Sequence, residues 1–292
     1  MNPEFDLKSR TKPLFFRKAA DGIVRIFSVT AVAIAVGGMA WILASVVGRG
    51  LSALDLDFLT NPSKPYGVAD GGIANAVLGT LLITAVAAAI AIPTGIAAGI
   101  YLSEFGKRSR VANALRFCAN VMMGMPSVIV GLFVYVIWVV PTGHFSGFAG
   151  SLALAIIMFP VVMRTTEDML AMVPDTLRES ALALGMTRAR TTLSVICRSA
   201  KNGLVTGVLL SIARVSGETA PLLFTAMSMD DWPNGFFSDP TANMPVLITQ
   251  YADSPFGEMQ AAAWGAAFVI TLLVLAINVF TRVAFRERSR AK

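Results

Sequence analysis

Six apolar stretches run through the 292-residue chain, at about 23–48, 73–102, 112–140, 147–165, 202–228 and 259–283. Each is near the roughly 20 residues that carry a helix across a hydrocarbon core. Inside lipid every backbone N–H and C=O must be paired within the chain, so runs of this length fold as helices. The expected fold class is an all-α membrane protein with six transmembrane helices. Composition agrees, because only 14% of residues are charged and 55% are hydrophobic, against about 25% charged in soluble domains.

The placement of charge sets an orientation. Of 24 Lys and Arg, 21 lie in the amino end, in the turn after the second stretch, between Arg164 and Lys201, and from Arg282 to Lys292. The alternate loops are acidic, with Asp55, Asp57, Asp70, Asp230, Asp231, Asp239, Asp253 and Glu258. Basic loops stay in the cytoplasm, so both termini are expected there. The net charge of +6 flanks apolar runs and forms no basic face, which argues against nucleic acid as a partner and for membrane lipid. Cys118 and Cys197 fall toward the cytoplasmic side, where a disulfide has no support. His144 is the only histidine, too few for a histidine metal site. The amino end reads as a retained cytoplasmic tail, 1–22, before a membrane domain, 23–284, and a short tail, 285–292. The outer stretch 229–258 is too long for a minimal connection and is expected to pack on something.

The cytoplasmic segment at about 167–200 is too polar to span. Pro174 and Asp175 mark a helix start, and Leu177, Ala181 and Leu184 follow at helical spacing. Gly185 permits a sharp turn and Thr187 can cap a second helix. A helix, a glycine turn and a helix leading into the fifth stretch make an element able to transmit force.

Arg214 and Glu218 are the only charged residues between Lys201 and Asp230. An ionisable group at membrane depth costs about 2.5–3.5 kcal/mol on insertion scales, so the pair calls for a reason. Spacing of four puts them on one helix face, and Pro221 removes the partner of the Gly217 carbonyl and kinks the helix. Guanidinium offers a fork suited to an oxyanion, with Glu218 steadying it in the empty state. A structural ion pair is the equally weighted alternative. Arg164 is expected to end the fourth stretch, as a path residue or a positive-inside anchor. Pro126 is expected to kink the third. Gly95-x-x-x-Gly99 and Gly203-x-x-x-Gly207 allow close helix approach.

Glu179, Ser180, Ala181 and Gly185 resemble the EAA loop of importer-type ABC permeases. That likeness implies a type I importer permease architecture in which the loop docks on an ATP-binding subunit. Ser180 stands in place of the first alanine, and Cys197-Arg198 where many members have Leu-Pro. The runs ARVSGETAPLLFTA at 213–226, FPVVMRTTEDML at 159–170, VPDTLRESALALG at 173–185 and MPSVIVGLF at 125–133 are similar to those of the PstA-type permeases of phosphate ABC transporters, over roughly residues 70–285. The resemblance implies phosphate import across the bacterial inner membrane, with Arg214, Glu218 and Arg164 on the anion path. It also implies a second, PstC-like permease, two copies of a PstB-like ATP-binding subunit and an external PstS-like phosphate-binding protein. The chain carries no G-x-x-x-x-G-K-[ST] loop, so no cofactor is expected in it and ATP-Mg is expected in a partner. Sulfate or molybdate transport is the near alternative, because arginine reads any tetrahedral oxyanion, and a signalling or scaffold subunit is a distant one. An intramembrane hydrolase lacks a nucleophile with its base, and no enzyme activity is expected.

Overall fold

The computed structural model describes residues 14–68, 71–106 and 109–284; of the expected tails 1–22 and 285–292, only 14–22 is described, and it forms the start of the first helix. The described residues are mostly helical and form no strand. Helix α1 (Leu14–Gly50) is followed by α2 (Leu56–Thr60), α3 (Ala74–Ile100), α4 (Arg110–Gly124), α5 (Ser127–Val134) and α6 (Val140–Thr142). Then come α7 (Gly147–Ala171), α8 (Asp175–Ala183), α9 (Arg188–Thr191), α10 (Cys197–Ser199) and α11 (Lys201–Val215). The series ends with α12 (Ala220–Leu223), α13 (Met244–Ala252) and α14 (Gly257–Ala284).

Among the described residues, four helical segments are long and apolar enough to cross a membrane alone: Asp21–Ala53, Ala74–Phe105, Gly147–Ala171 and Gly257–Ala276. The number reaches six if each of two bent pairs makes one span. The third expected helix is one of these pairs, turning 104° between α4 and α5. Met125 is extended (ψ 138°) ahead of Pro126, because the proline ring disfavours the helical region for its predecessor. The expected kink is therefore a corner. The other pair bends 72° between Arg188–Ser199 and Lys201–Val215, so the arm does not run straight into the fifth span. The fourth stretch, expected to stop at 165, continues as α7 to Ala171. Arg164 thus lies two turns before its end.

The chain divides into two compact units, 1–49 and 50–292. In the first, α1 is apolar on every side from residue 26 to 48. Its 37 residues, at about 1.5 Å each, exceed the ~30 Å core.

In the second unit α7 is central. Alanines and glycines bring α3 against it: a Cβ on Gly95 would lie 2.9 Å from Val162 Cβ, and one on Gly99 would lie 2.5 Å from Thr166 Cβ. Gly203 and Gly207 of α11 meet Met169 and Thr165 of the same helix. Both small-residue motifs are thus seams on α7, where shape fit and dispersion replace the hydrophobic drive that lipid does not supply. Ile83, Ala87, Ala91, Leu154, Met158 and Val162 make the core between α3 and α7.

The stretch after α12 does pack on the chain. Leu247 and Tyr251 of α13 join Ile73, just before α3, Ala76 of α3, and Ala263 and Ala266 of α14 in one buried cluster. The Met244 N–H donates to Thr80 Oγ1 at 2.8 Å. Asn75, fully buried, ties two loops together. It accepts from the Ser63 N–H and donates to Ser63 Oγ and to the carbonyls of Met229 and Asp231. Burial and the nearby Asp230 charge push the Tyr251 hydroxyl up to about 12.

Candidate functional site

The structure places Arg214 and Glu218 at a helix break, not on one continuous face. Helix α11 ends at Val215. Its last turn tightens as the Gly217 N–H reaches the Arg214 carbonyl at 3.4 Å and the Glu218 N–H reaches the Val215 carbonyl at 3.1 Å. Gly217 is a weak helix former, and Pro221 supplies no N–H to its carbonyl. The chain leaves the helix at 216–219, and Pro221 sits in the first turn of α12, where a missing donor costs nothing. Pro221 therefore starts a helix where a kink was expected.

The break changes what the two charges do. Arg214 is exposed on this chain and Glu218 is half-buried. Among the described residues neither side chain has an ion pair or hydrogen bond, so the expected Arg214–Glu218 pair is absent. A guanidinium with no acceptor among the described residues keeps its donors for an incoming group. Beside the break lies a cleft of about 330 Å³ bordered by Gly217, Thr219, Pro245, Thr249, Thr271 and Val274. The two proline-led helices meet here: a Cβ on Gly131 of α5 would lie 2.6 Å from Pro221 Cα. The corner at Pro126 and the break at Pro221 thus belong to one structural unit.

Arg164 does not join them. Its Nη1 lies 3.2 Å from Glu167 Oε2 and its Nε 3.3 Å from Asp168 Oδ2. Glu167 also takes Arg116 Nε at 2.6 Å, while Arg116 Nη2 donates to the Leu102 carbonyl at 2.9 Å. Arg164 remains 44% exposed on its side chain, so its carboxylate partners leave part of the guanidinium open.

The arm at 172–200 has the expected parts. Pro174 precedes α8. The Gly185 N–H donates to the Leu182 carbonyl and the Met186 N–H to the Ala181 carbonyl. With φ +82° at Gly185, this is a Schellman cap, which favours glycine because L side chains are strained in the left-handed region. Thr187 Oγ1 caps α9 by accepting from the Arg190 N–H. Ala181 is buried, whereas Glu179 and Ser180 are exposed. Leu177 and Leu184, expected on the Ala181 face, are exposed too, Leu184 at 84%.

Sequence reasoning missed Arg178 and Glu104. Arg178 of α8 holds Glu104 by a fork, Nη2 to Oε1 at 2.8 Å and Nε to Oε2 at 3.1 Å. It also donates to the carbonyls of Leu170 and Val173 and to Asp175. The hydrogen bond to Glu104 raises the Arg178 pKa further, against the opposing effect of burial. Glu104 stands on a π-helical turn, Tyr101–Phe105, that ends α3. The available signal was its sign: Glu104 is a lone acid beside Lys107, Arg108, Arg110 and Arg116.

Apolar helices long enough to span, two bent helix pairs and a short capped arm define a polytopic membrane protein. The family model for "Binding-protein-dependent transport system inner membrane component" matches residues 91–288, and the chain belongs to that family. It is 42% identical over 282 residues to the phosphate transport system permease protein PstA of Yersinia pestis, covering 97% of this chain and 95% of the relative. The PstA of Haemophilus influenzae is 43% identical over 274 residues, covering 94% and 96%. Among solved structures, the inward-facing MetNI methionine ABC transporter superimposes with a TM-score of 0.62 at 19% identity, covering 75% of this chain and 96% of that one. That likeness concerns the fold alone.

Proposed function

We propose that this chain is the PstA-type permease of an ATP-driven phosphate importer and forms one side of the anion path. The carrying observation is the exposed Arg214, with no partner among the described residues, at the break between α11 and α12. A permanently charged fork that the described residues leave open suits a tetrahedral oxyanion. Because Arg214 is exposed on this chain, the path is completed by a second, PstC-like permease. Two PstB-like subunits bind and hydrolyse ATP-Mg, since this chain has no phosphate-cradling loop. They dock on α8 and the Gly185 turn. A PstS-like binding protein delivers phosphate to the acidic outer face. The PstA relatives support this reading over that of a scaffold subunit.

Both termini face the cytoplasm on this reading. Single cysteines at Ser180 and Ser238, both exposed, should label from opposite sides of the membrane; labelling from one side would sink the orientation. The function itself is tested with the four-subunit complex in proteoliposomes. Phosphate delivered by the binding protein should stimulate ATP hydrolysis, and sulfate and molybdate should not. Stimulation by sulfate or molybdate alone would make the chain a permease for that oxyanion.

A further inference from the structure

The Arg178–Glu104 pair joins three elements that the sequence keeps apart. Its carboxylate belongs to the terminal turn of α3 and its guanidinium to α8. The carbonyls of Leu170 and Val173, which Arg178 also binds, lie in and just after the last turn of α7. The two side chains are only 13% and 9% exposed. A buried pair whose remaining donors are also satisfied is costly to open, and removing one partner leaves a buried charge. Helices α3 and α7 are themselves locked along the Gly95–Gly99 seam. By contrast, the route from α9 and α10 into α11 passes a 72° bend.

We propose that Arg178 is a positioning residue that clamps α8 to the α3–α7 pair, so that movement of α8 reaches the membrane through α3 and α7 and not chiefly through α11. This rests on reading the chain as an importer permease. The far end of α7 supports the route: Gly150 of α7 lies against Leu222 and Ala226, in and beyond α12, next to the break that carries Arg214. A rigid α3–α7 pair therefore connects the clamp to the candidate anion site. Lysine cannot replace Arg178, because one ammonium cannot fork Glu104 and also span two carbonyls. Glu104→Gln is the gentler change, since it keeps an acceptor and leaves the carbonyl contacts in place.

The test uses the assembled transporter, with Cys118 and Cys197 replaced by serine and spin labels at exposed Leu184 and Leu78. With the clamp intact, the 184–78 distance should be the same in nucleotide-free and ATP-trapped states. In Arg178→Lys and Glu104→Gln it should differ between those states. In the same variants, phosphate moved per ATP hydrolysed should fall about tenfold, the scale of losing one charge-assisted hydrogen bond. A wild-type distance that changes with nucleotide, or variants with an unchanged distance and transport ratio, would overturn the clamp. So would loss of assembly in both variants, which would make the pair a folding element only. Failure of the functional reading shows separately, as an unmodified complex that holds the fixed distance but ignores phosphate.

Discussion

Arg178 and Arg214 are the same residue type in opposite conditions. Arg178 is nearly buried and spends its donors on Glu104, Asp175 and two helix-end carbonyls. Arg214 is exposed and has no such partner among the described residues. A guanidinium saturated by its own chain fixes geometry. One left open at a helix break is held for something outside the chain. Sequence position alone ranked these the wrong way for structure: Arg214 was expected to pair with Glu218, and Arg178 was passed over. Arg164 lies between the extremes, bound by two carboxylates yet 44% exposed.

That ordering can be broken by substitution. Arg214→Gln should lower phosphate uptake about 100-fold or more, the loss typical of removing an oxyanion donor from a low-dielectric site, while the complex assembles normally. Normal uptake would make Arg214 a bystander. Gly185→Val should separate ATP hydrolysis from uptake by about tenfold, because forcing a β-branched residue into the left-handed region costs about 1–3 kcal/mol and loosens the docking turn. Uptake per ATP is the readout, and an unchanged ratio would count against the arm as the coupling element. Arg164→Gln should have the smallest effect, a few-fold at most. Glu167 keeps Arg116 as its partner, and a half-exposed ion pair contributes about 0–1 kcal/mol. A loss as large as that of Arg214→Gln would move Arg164 into the path proper.

Much of the fold was legible because it follows from period, length and charge. The apolar runs gave the helices, and the Gly95–Gly99 and Gly203–Gly207 spacings marked the two seams on α7. Pro174, Gly185 and Thr187 gave the arm its start, turn and second cap. What was not legible depends on tertiary context. Pro126 and Pro221 read as kinks, but a proline shows only that a helical hydrogen bond is missing. Whether the chain bends slightly or turns 104° depends on what packs beside it, here Gly131 against Pro221. The four-residue spacing of Arg214 and Glu218 carried meaning only for an unbroken helix, and Gly217 with Pro221 ended it. Glu104 and Arg178 are 74 residues apart, and no local pattern joins them.

The central claim is that Arg214 presents its charge to the transported anion. The direct measurement is phosphate uptake by an Arg214→Cys transporter, otherwise free of cysteine, before and after reaction with an aminoethyl thiosulfonate. Uptake should be near background before reaction and recover in part once a cation is restored at 214, with no recovery from a neutral methyl reagent. Full uptake by the unmodified cysteine variant, or equal recovery with the neutral reagent, would contradict the account.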